Sequence, residues 1–481
     1  MNKNVKNREQ YKRLLNFLGA LIIIYVFMMG FSYVWHNFYN SGMRDRFWYK
    51  GNILMVGVYA VIYMVMTSTF SGFRLGYSKF AGLFGSQVLG ILGTNCMEFV
   101  IISLVGRGRL NAAPIAVMTV FQLLFALVWS YGFTILYSKM YPPRKMIIVY
   151  GNKNAKYLVS KMSMRTDKYN ICASISCEES LEEIERQILK YEAVIISDIP
   201  SDLRARLLKF TFDNSIRTYI NPKLSDIIIR GADDFHLFDT PLLLARNDGL
   251  SFEQRALKRL FDVVLSVFAL IIASPFMLIT AVAIKAYDGG SVFYSQERLT
   301  IGGRRFKVLK FRSMIENAEK TGARLAAEHD DRITPVGKII RKIRFDELPQ
   351  LLNILKGDMS FVGPRPERPE FAAKYEKTMP EFRYRLKVKA GLTGYAQVMG
   401  KYNTTPYDKL KFDLMYIENQ SLIEDMKIIL TTIRTCFVPD ATEGVEGTEP
   451  IETKRDRIVH DYSKDEPIET ESAEDKQEIS V

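Results

Sequence analysis

The sequence predicts a multi-domain membrane protein. It reads as a four-helix transmembrane domain over residues 1–143, an α/β middle domain over 144–250, a mixed α/β third domain over 251–438 and an acidic tail over 439–481. Three observations predict this layout. Four successive runs, Leu14–Val34, Asn52–Phe73, Phe80–Gly106 and Leu110–Tyr137, contain no Lys, Arg or Asp. Each reaches the roughly 20 residues a helix needs to cross the hydrocarbon core. Beyond them, short apolar strand patterns alternate with helical ones. Finally, 481 residues are too many for one ordinary domain.

Taking the elements in order, Met1–Arg13 carries five bases and one acid. Lys139, Arg144 and Lys145 follow the last apolar run. Basic flanks mark the cytoplasmic side, and an even number of spans puts both ends there. Glu98 lies inside the third run. An intramembrane acid is either functional or a partner in a helix–helix hydrogen bond in its protonated form. The first run lacks a small-residue cleavage site, so it reads as an anchor and not a signal peptide.

Pro142-Pro143 closes the membrane block. Lys145–Tyr150, Ile171–Ser174, Ala193–Ser197, Arg217–Ile220 and Asp226–Ile229 read as strands, with helices over Glu179–Tyr191 and Leu203–Asp213. The alternation argues for a doubly wound, Rossmann-like domain. A dinucleotide site wants three spaced glycines after its first strand, whereas Tyr150-Gly151-Asn152-Lys153 offers one. A structural or regulatory role is therefore expected.

Leu257–Ala286 is a fifth apolar stretch, interrupted by Ser274-Pro275. Proline removes an amide donor and serine can satisfy the freed carbonyl. The residues alone leave two readings, a kinked full span and a helix that enters and leaves by one face. After it come a strand candidate at Val292–Tyr294, a Gly302-Gly303 turn and a second strand at Phe306–Phe311, which puts Lys307 off the core face. Ala323–Arg332 reads as a polar helix. Its His329-Asp330-Asp331 lacks metal-ligand geometry. Further on, Phe371–Val388 is amphipathic and basic. Tyr407–Ser421 reads as helix, and Leu422–Phe437 as an amphipathic helix lying on a membrane. The tail lacks apolar periodicity and is expected to be disordered.

Charge narrows the partners. Lys and Arg outnumber Asp and Glu by 65 to 53, giving +12. From Asp440 on, 14 acids meet 5 bases, so the rest of the chain is near +21. A basic body suits anionic partners, a phospholipid face or phosphates. The charge flanks membrane segments and no aromatic-interleaved platform is present, so no nucleic acid is expected. The four cysteines show no metal spacing and fit reduced, buried thiols.

The chemistry gathers in Arg341–Glu367, RKIRFDELPQLLNILKGDMSFVGPRPE. Asp346 and Glu347 are adjacent, Arg341, Lys342 and Arg344 precede them, and Gly363-Pro364-Arg365-Pro366 forms a stiff turn that fixes an arginine. One carboxylate can attack phosphorus or hold a metal while cations neutralise phosphoryl oxygens. The bland reading is Asp346 as N-cap of the helix that begins at Leu348-Pro349.

Together with Phe306–Met314 (FKVLKFRSM) and Gly391–Gly400 (GLTGYAQVMG), this stretch resembles the bacterial sugar transferases, the polyprenyl-phosphate hexose-1-phosphate transferases built on a monotopic phosphoglycosyl transferase core. The resemblance covers roughly Leu257–Ile433. It implies an undecaprenyl-phosphate sugar phosphotransferase that moves hexose-1-phosphate from a UDP-sugar to undecaprenyl phosphate and releases UMP, beginning capsule or exopolysaccharide synthesis. Asp346 would be the nucleophile, forming an aspartyl-phosphate sugar intermediate. Glu347 would bind Mg²⁺. Lys310, Arg312, Arg341, Arg365 and Gln397 would contact substrate. The Ser274-Pro275 break would make 257–286 a re-entrant helix that seats a cytoplasmic catalytic domain on the bacterial inner membrane. Lys387, Lys389 and a turn at Gly391–Gly394 would suit a phosphate or uridine contact. Met399 and Lys401 stand where the family has Asn or Ser and then Arg, which leaves the sugar open. The resemblance also implies a homodimer, and Mg²⁺ and Arg341 would hold Asp346 ionised. The competing reading is a membrane-bound nucleotide-sensing regulator with structural carboxylates.

Overall fold

The fold is that of a computed structural model, which describes residues 3–43, 45–106, 110–151, 154–245, 249–315, 332–400, 404–437 and 460–461. The chain begins with α1 (Lys3–Val34), which runs on through a π turn at Trp35–Tyr39, then α2 (Tyr49–Thr69), α3 (Phe80–Val105) and α4 (Ala113–Met140). These coincide with the four apolar runs to within a few residues. Aromatic side chains fill the bundle: Phe27, Phe31, Trp35, Tyr59 and Tyr63 are buried, and the Phe31 and Tyr59 rings stack with centroids 4.4 Å apart. Polar groups inside pair with one another, as apolar surroundings demand. Tyr63 donates to Gln87 (2.5 Å), and Gln122 Nε2 donates to the Tyr59 hydroxyl (2.7 Å). Glu98 is buried, yet neither carboxylate oxygen has a hydrogen-bond partner among the described residues.

The described residues divide into two compact units. The first holds Gly132–Lys223 with the residues up to Leu15. Its elements are β1 (Arg144–Tyr150), α5 (Asn154–Ser163), β2 (Tyr169–Ser176), α6 (Leu181–Ile188), β3 (Ala193–Ser197), α7 (Ser201–Asp213) and β4 (Arg217–Ile220). The strands pair in parallel in the order β2-β1-β3-β4. Alternate residues supply opposite faces: Ile147, Val149, Val194 and Ile196 pack with α6 and α7, while Met146, Ile148, Ala193 and Ile195 pack with α5. Helices cover both faces, as a buried parallel sheet requires. The tail lies outside the described residues apart from His460–Asp461, which pairs antiparallel with β2.

The second unit takes Asn16–Tyr131 and Leu224–Gly444. Here one expectation fails. Residues 226–229 are not a strand. They lie in helix α8 (Leu224–Arg230), because Ile227 packs against Leu410 and Leu414 and tertiary contact overrides β-branched propensity. A hairpin, β5 (Asp233–Leu237) with β6 (Thr240–Leu244), follows where none was foreseen.

Helix α9 (Phe252–Asp288) is continuous through Pro275. The carbonyl that Pro275 cannot engage is that of Ile271, and the Ser274 hydroxyl donates to it at 2.8 Å. A capping box at Ser251 and Gln254 starts the helix, and Gly289, at φ 71°, ends it. Together with α1–α4, five helices among the described residues are long and apolar enough to cross a membrane. The remaining elements are β7 (Phe293–Leu299), β8 (Arg305–Phe311), α10 (Pro335–Lys342), α11 (Gln350–Lys356), β9 (Ser360–Val362), α12 (Pro369–Thr378), β10 (Gly391–Thr393), α13 (Tyr395–Met399), α14 (Pro406–Glu418) and α15 (Leu422–Phe437). Strand β7 pairs antiparallel with β8, and β9 pairs in parallel with β10. The expected Gly391–Gly394 turn is thus mostly strand. The basic stretch after α12 is a 3₁₀ segment, Pro380–Lys387. The polar segment 323–331, with its His329-Asp330-Asp331, lies outside the described residues. Of the cysteines, Cys96 is exposed on α3, not buried, and Cys172 and Cys177 are half-buried.

Candidate active site

The site is built where α9 grips the following chain. Arg259 donates from both terminal nitrogens to the carbonyls of Ile354 and Leu355 at the end of α11, each at 2.6 Å. Asp262 accepts from Phe361 N (3.0 Å) and Ser360 Oγ (3.1 Å) on β9. Lys258 pairs with Asp425 of α15 and donates to Tyr416 Oη. Further along, Met277, Ala281 and Ile284 pack with Phe311, Ile340, Phe345 and Leu348, and the Phe276 and Phe345 rings meet at 5.8 Å. Both halves of α9 therefore rest on the same domain. Its opposite face, with Leu260, Val264, Phe268, Ile271, Leu278, Ile279 and Val282, is apolar and exposed.

Asp346 and Glu347 sit in a 3₁₀ turn, Phe345–Glu347, between α10 and α11. The turn is entered through Arg344, whose backbone is left-handed at φ 56°, an uncommon state for a residue with a Cβ. Asp346 is not a helix cap. The N-cap of α11 is Pro349, with no side-chain cap hydrogen bond. Asn353 ties α11 to β8, accepting from Leu309 N and donating to Lys307 O, both at 2.9 Å. That link sets Lys310, at the end of β8, beside the turn. Asn353 was not singled out in the sequence, where it sits unremarkably in LLNIL.

The two carboxylates differ sharply. Glu347 Oε1 accepts from Lys310 Nζ at 2.9 Å and from Arg365 Nη2 at 2.8 Å, and its side chain is only 12% exposed. Burial alone would raise its pKa, but Arg365 and Lys310 more than offset this and hold it well below the usual carboxylate range. Asp346 accepts no hydrogen bond from the described residues. Burial pushes its pKa up, against the pull of Lys310 and Arg341 and with a further push from Glu347. Arg341 pulls in the expected direction, and burial outweighs it.

Arg365 is delivered by an interlocked turn. Gly363 N donates to Thr393 O and Gly391 N to Pro364 O, both at 2.9 Å. A Cβ on Gly363 would lie 2.3 Å from Lys389 O and one on Gly394 2.2 Å from Gly363 O, so these approaches require glycine.

Of the other expected contacts, Arg312 and Gln397 have their hydrogen bonds to groups other than the two carboxylates. Arg312 is buried and pairs with Asp288 at the end of α9, and no partner among the described residues engages its Nη1. Gln397 donates to Leu392 O at 2.9 Å, and its buried Oε1 has no partner among the described residues. Arg341, in the last turn of α10, acts on Asp346 through charge.

Comparison with known proteins adds to this geometry. The family model described as bacterial sugar transferase matches residues 253–439. The uncharacterized sugar transferase EpsL of Bacillus subtilis is 37% identical over 199 residues, which is 41% of this chain and 95% of that protein. The chain belongs to the bacterial sugar transferase family. A second family member, the UDP-N-acetylgalactosamine-undecaprenyl-phosphate N-acetylgalactosaminephosphotransferase of Aeromonas hydrophila, is 46% identical over 182 residues, 37% of this chain. A third, the UDP-glucose:undecaprenyl-phosphate glucose-1-phosphate transferase of Escherichia coli K12, is 38% identical over 210 residues, 43% of this chain. The matches span 43% and 44% of those two relatives' lengths. What the sugar transferases share with this chain is thus the region that carries α9, Lys310, the Asp346-Glu347 turn and Arg365.

Proposed function

We propose that this protein transfers hexose-1-phosphate from a UDP-sugar to undecaprenyl phosphate, releases UMP and so begins an exopolysaccharide or capsule repeat. The observation that carries the reading is the asymmetry of the adjacent carboxylates. Glu347 is pinned and ionised between two cations, whereas Asp346 is unpinned and more basic. A more basic carboxylate is the better nucleophile. Attack by Asp346 on the phosphorus that bears the sugar forms an Asp346–phosphorus bond and breaks the bond to the bridging oxygen. That oxygen leaves with UMP. The phosphate of undecaprenyl phosphate then attacks the same phosphorus, and Asp346 leaves. Lys310 and Arg365 neutralise phosphoryl oxygens, since such transfers rest on positioning and charge.

The donor set suits Mg²⁺. Both cations bind Oε1 of Glu347, leaving Oε2, and Asp346 is unengaged; Mg²⁺ takes one or two carboxylates with substrate phosphates and waters. Substrate phosphates and waters would complete the shell. Bound there, Mg²⁺ would supply charge to the diphosphate. The one-sided apolar face of α9 supports a helix seated in one leaflet with Pro275 at its depth, the catalytic residues facing the cytoplasm at the bacterial inner membrane. The test is incubation of the purified full chain with undecaprenyl phosphate and a panel of UDP-sugars. Release of UMP by the wild type, and none by Asp346→Asn, is the expected result; UDP-sugar hydrolysis without lipid-linked product overturns the reading.

A further inference from the structure

The geometry points to Arg385, backed by Asp413, as a positioning residue that fixes Arg365 over Glu347 from behind the site. The inference rests on the transfer reaction proposed above. Arg385 closes the 3₁₀ segment Pro380–Lys387 and is 6% exposed. One terminal nitrogen donates to the main-chain carbonyl of Arg365 at 2.9 Å and lies 2.9 Å from Asp413 Oδ2. The other is 3.6 Å from Glu367 Oε2. Glu367 is held again by Arg298, 3.7 Å away, which also donates to Pro366 O at 3.3 Å. The Phe382 ring covers the guanidinium, 4.8 Å from its carbon.

The interlocked glycines fix the entry to the Arg365 turn, at Gly363 and Pro364. They do not hold its exit. Leu299 N, which donates to Glu367 O at 3.0 Å, and Arg298 hold it further on; Arg385 takes the carbonyl of Arg365 itself, and Arg365 sends its own guanidinium to Glu347. A guanidinium presents its donors in a rigid fork, so one side chain can define the direction of a loop. Burying the Arg385–Asp413 pair costs desolvation, so stability alone is a poor reason for it. The pKa of Asp413, on α14, is pushed up to about 6 by burial, against the pull of Arg385. Glu367 and Lys409 are the other charges that act on it.

The experiment uses the full chain in detergent micelles, with UMP release as one readout and hydrogen exchange of residues 361–368 as the other. Arg385→Gln should lower kcat about 10- to 100-fold, the usual scale for a displaced catalytic group, and speed exchange across that segment. Arg385→Lys keeps one donor and should recover part of both. Arg365→Met and the double variant Arg365→Met/Arg385→Gln should turn over alike, within about twofold, because Arg385 acts only through Arg365. If Arg385→Gln does not fold, the isosteric Asp413→Asn serves, with a smaller loss likewise absorbed in the Arg365→Met background. Losses that multiply, or unchanged exchange in a folded variant, overturn the clamp. A wild type that releases no UMP defeats the reaction instead, and exchange still decides the clamp.

Discussion

At the scale of single residues, Asp346 and Glu347 are neighbours with opposite electrostatic fates. Asp346 has a folded pKa above its ordinary value. Its contribution to stability is therefore complete below the ordinary pKa and lost as pH rises through the folded value. Asp346→Asn should end turnover yet raise Tm by about 2 °C at pH 8, with no gain at pH 3.5; thermal melts at the two pH values check this. Glu347 has a depressed pKa, so its stability is present above the ordinary value and lost as pH falls through the folded one. Glu347→Gln leaves Lys310 and Arg365 without their anion. It should cost on the order of 3 kcal/mol at neutral pH, and excess Mg²⁺ should recover little activity. A third residue-level prediction concerns the intermediate. With lipid phosphate absent, UDP-sugar radiolabelled in the sugar should leave label on the wild type and none on Asp346→Asn. Ternary-complex kinetics with no trapped label would make transfer direct.

At the scale of elements, much was legible where one physical signal dominates. The four apolar runs, the Ala193–Ser197 and Arg217–Ile220 strands and the Leu422–Phe437 helix could be read because length or period decides them. The sequence misled where distant contacts decide. The β-branched run at 226–229 becomes helix on meeting Leu410 and Leu414, and the hairpin at 233–244 hides behind Asp233-Asp234. Arg312 could be placed near the site by motif but not seen to turn toward Asp288. Asn353 and Arg385 carry no local signal, since their work is to bridge segments 40-odd and 20 residues away. Asn353→Ala removes both bonds between α11 and β8 and leaves buried backbone groups unpaired. We expect a loss of about 2 kcal/mol and a fall in kcat larger than the change in KM, measured by denaturation and steady-state kinetics.

At the scale of the whole molecule, the described residues that form the site all precede the charge-rich tail. Deleting residues 439–481 should leave UMP release within about twofold of the full chain, because its acidic composition lacks apolar periodicity; a large loss in folded protein would place the tail in regulation. The shared region has a further property. Nearly all of the Bacillus subtilis relative is matched by it, so a whole protein can consist of little else. In this chain α9 presents its greasy side outward along both halves while its polar residues, Lys258, Arg259 and Asp262, are spent on the domain behind it. Such a surface partitions into lipid by itself. A fragment starting near Ser251 and lacking all four earlier helices should therefore still sediment with membranes, resist washing in carbonate or high salt, and come away only in detergent. The earlier helices would then serve assembly or traffic in the bilayer, and not attachment to it.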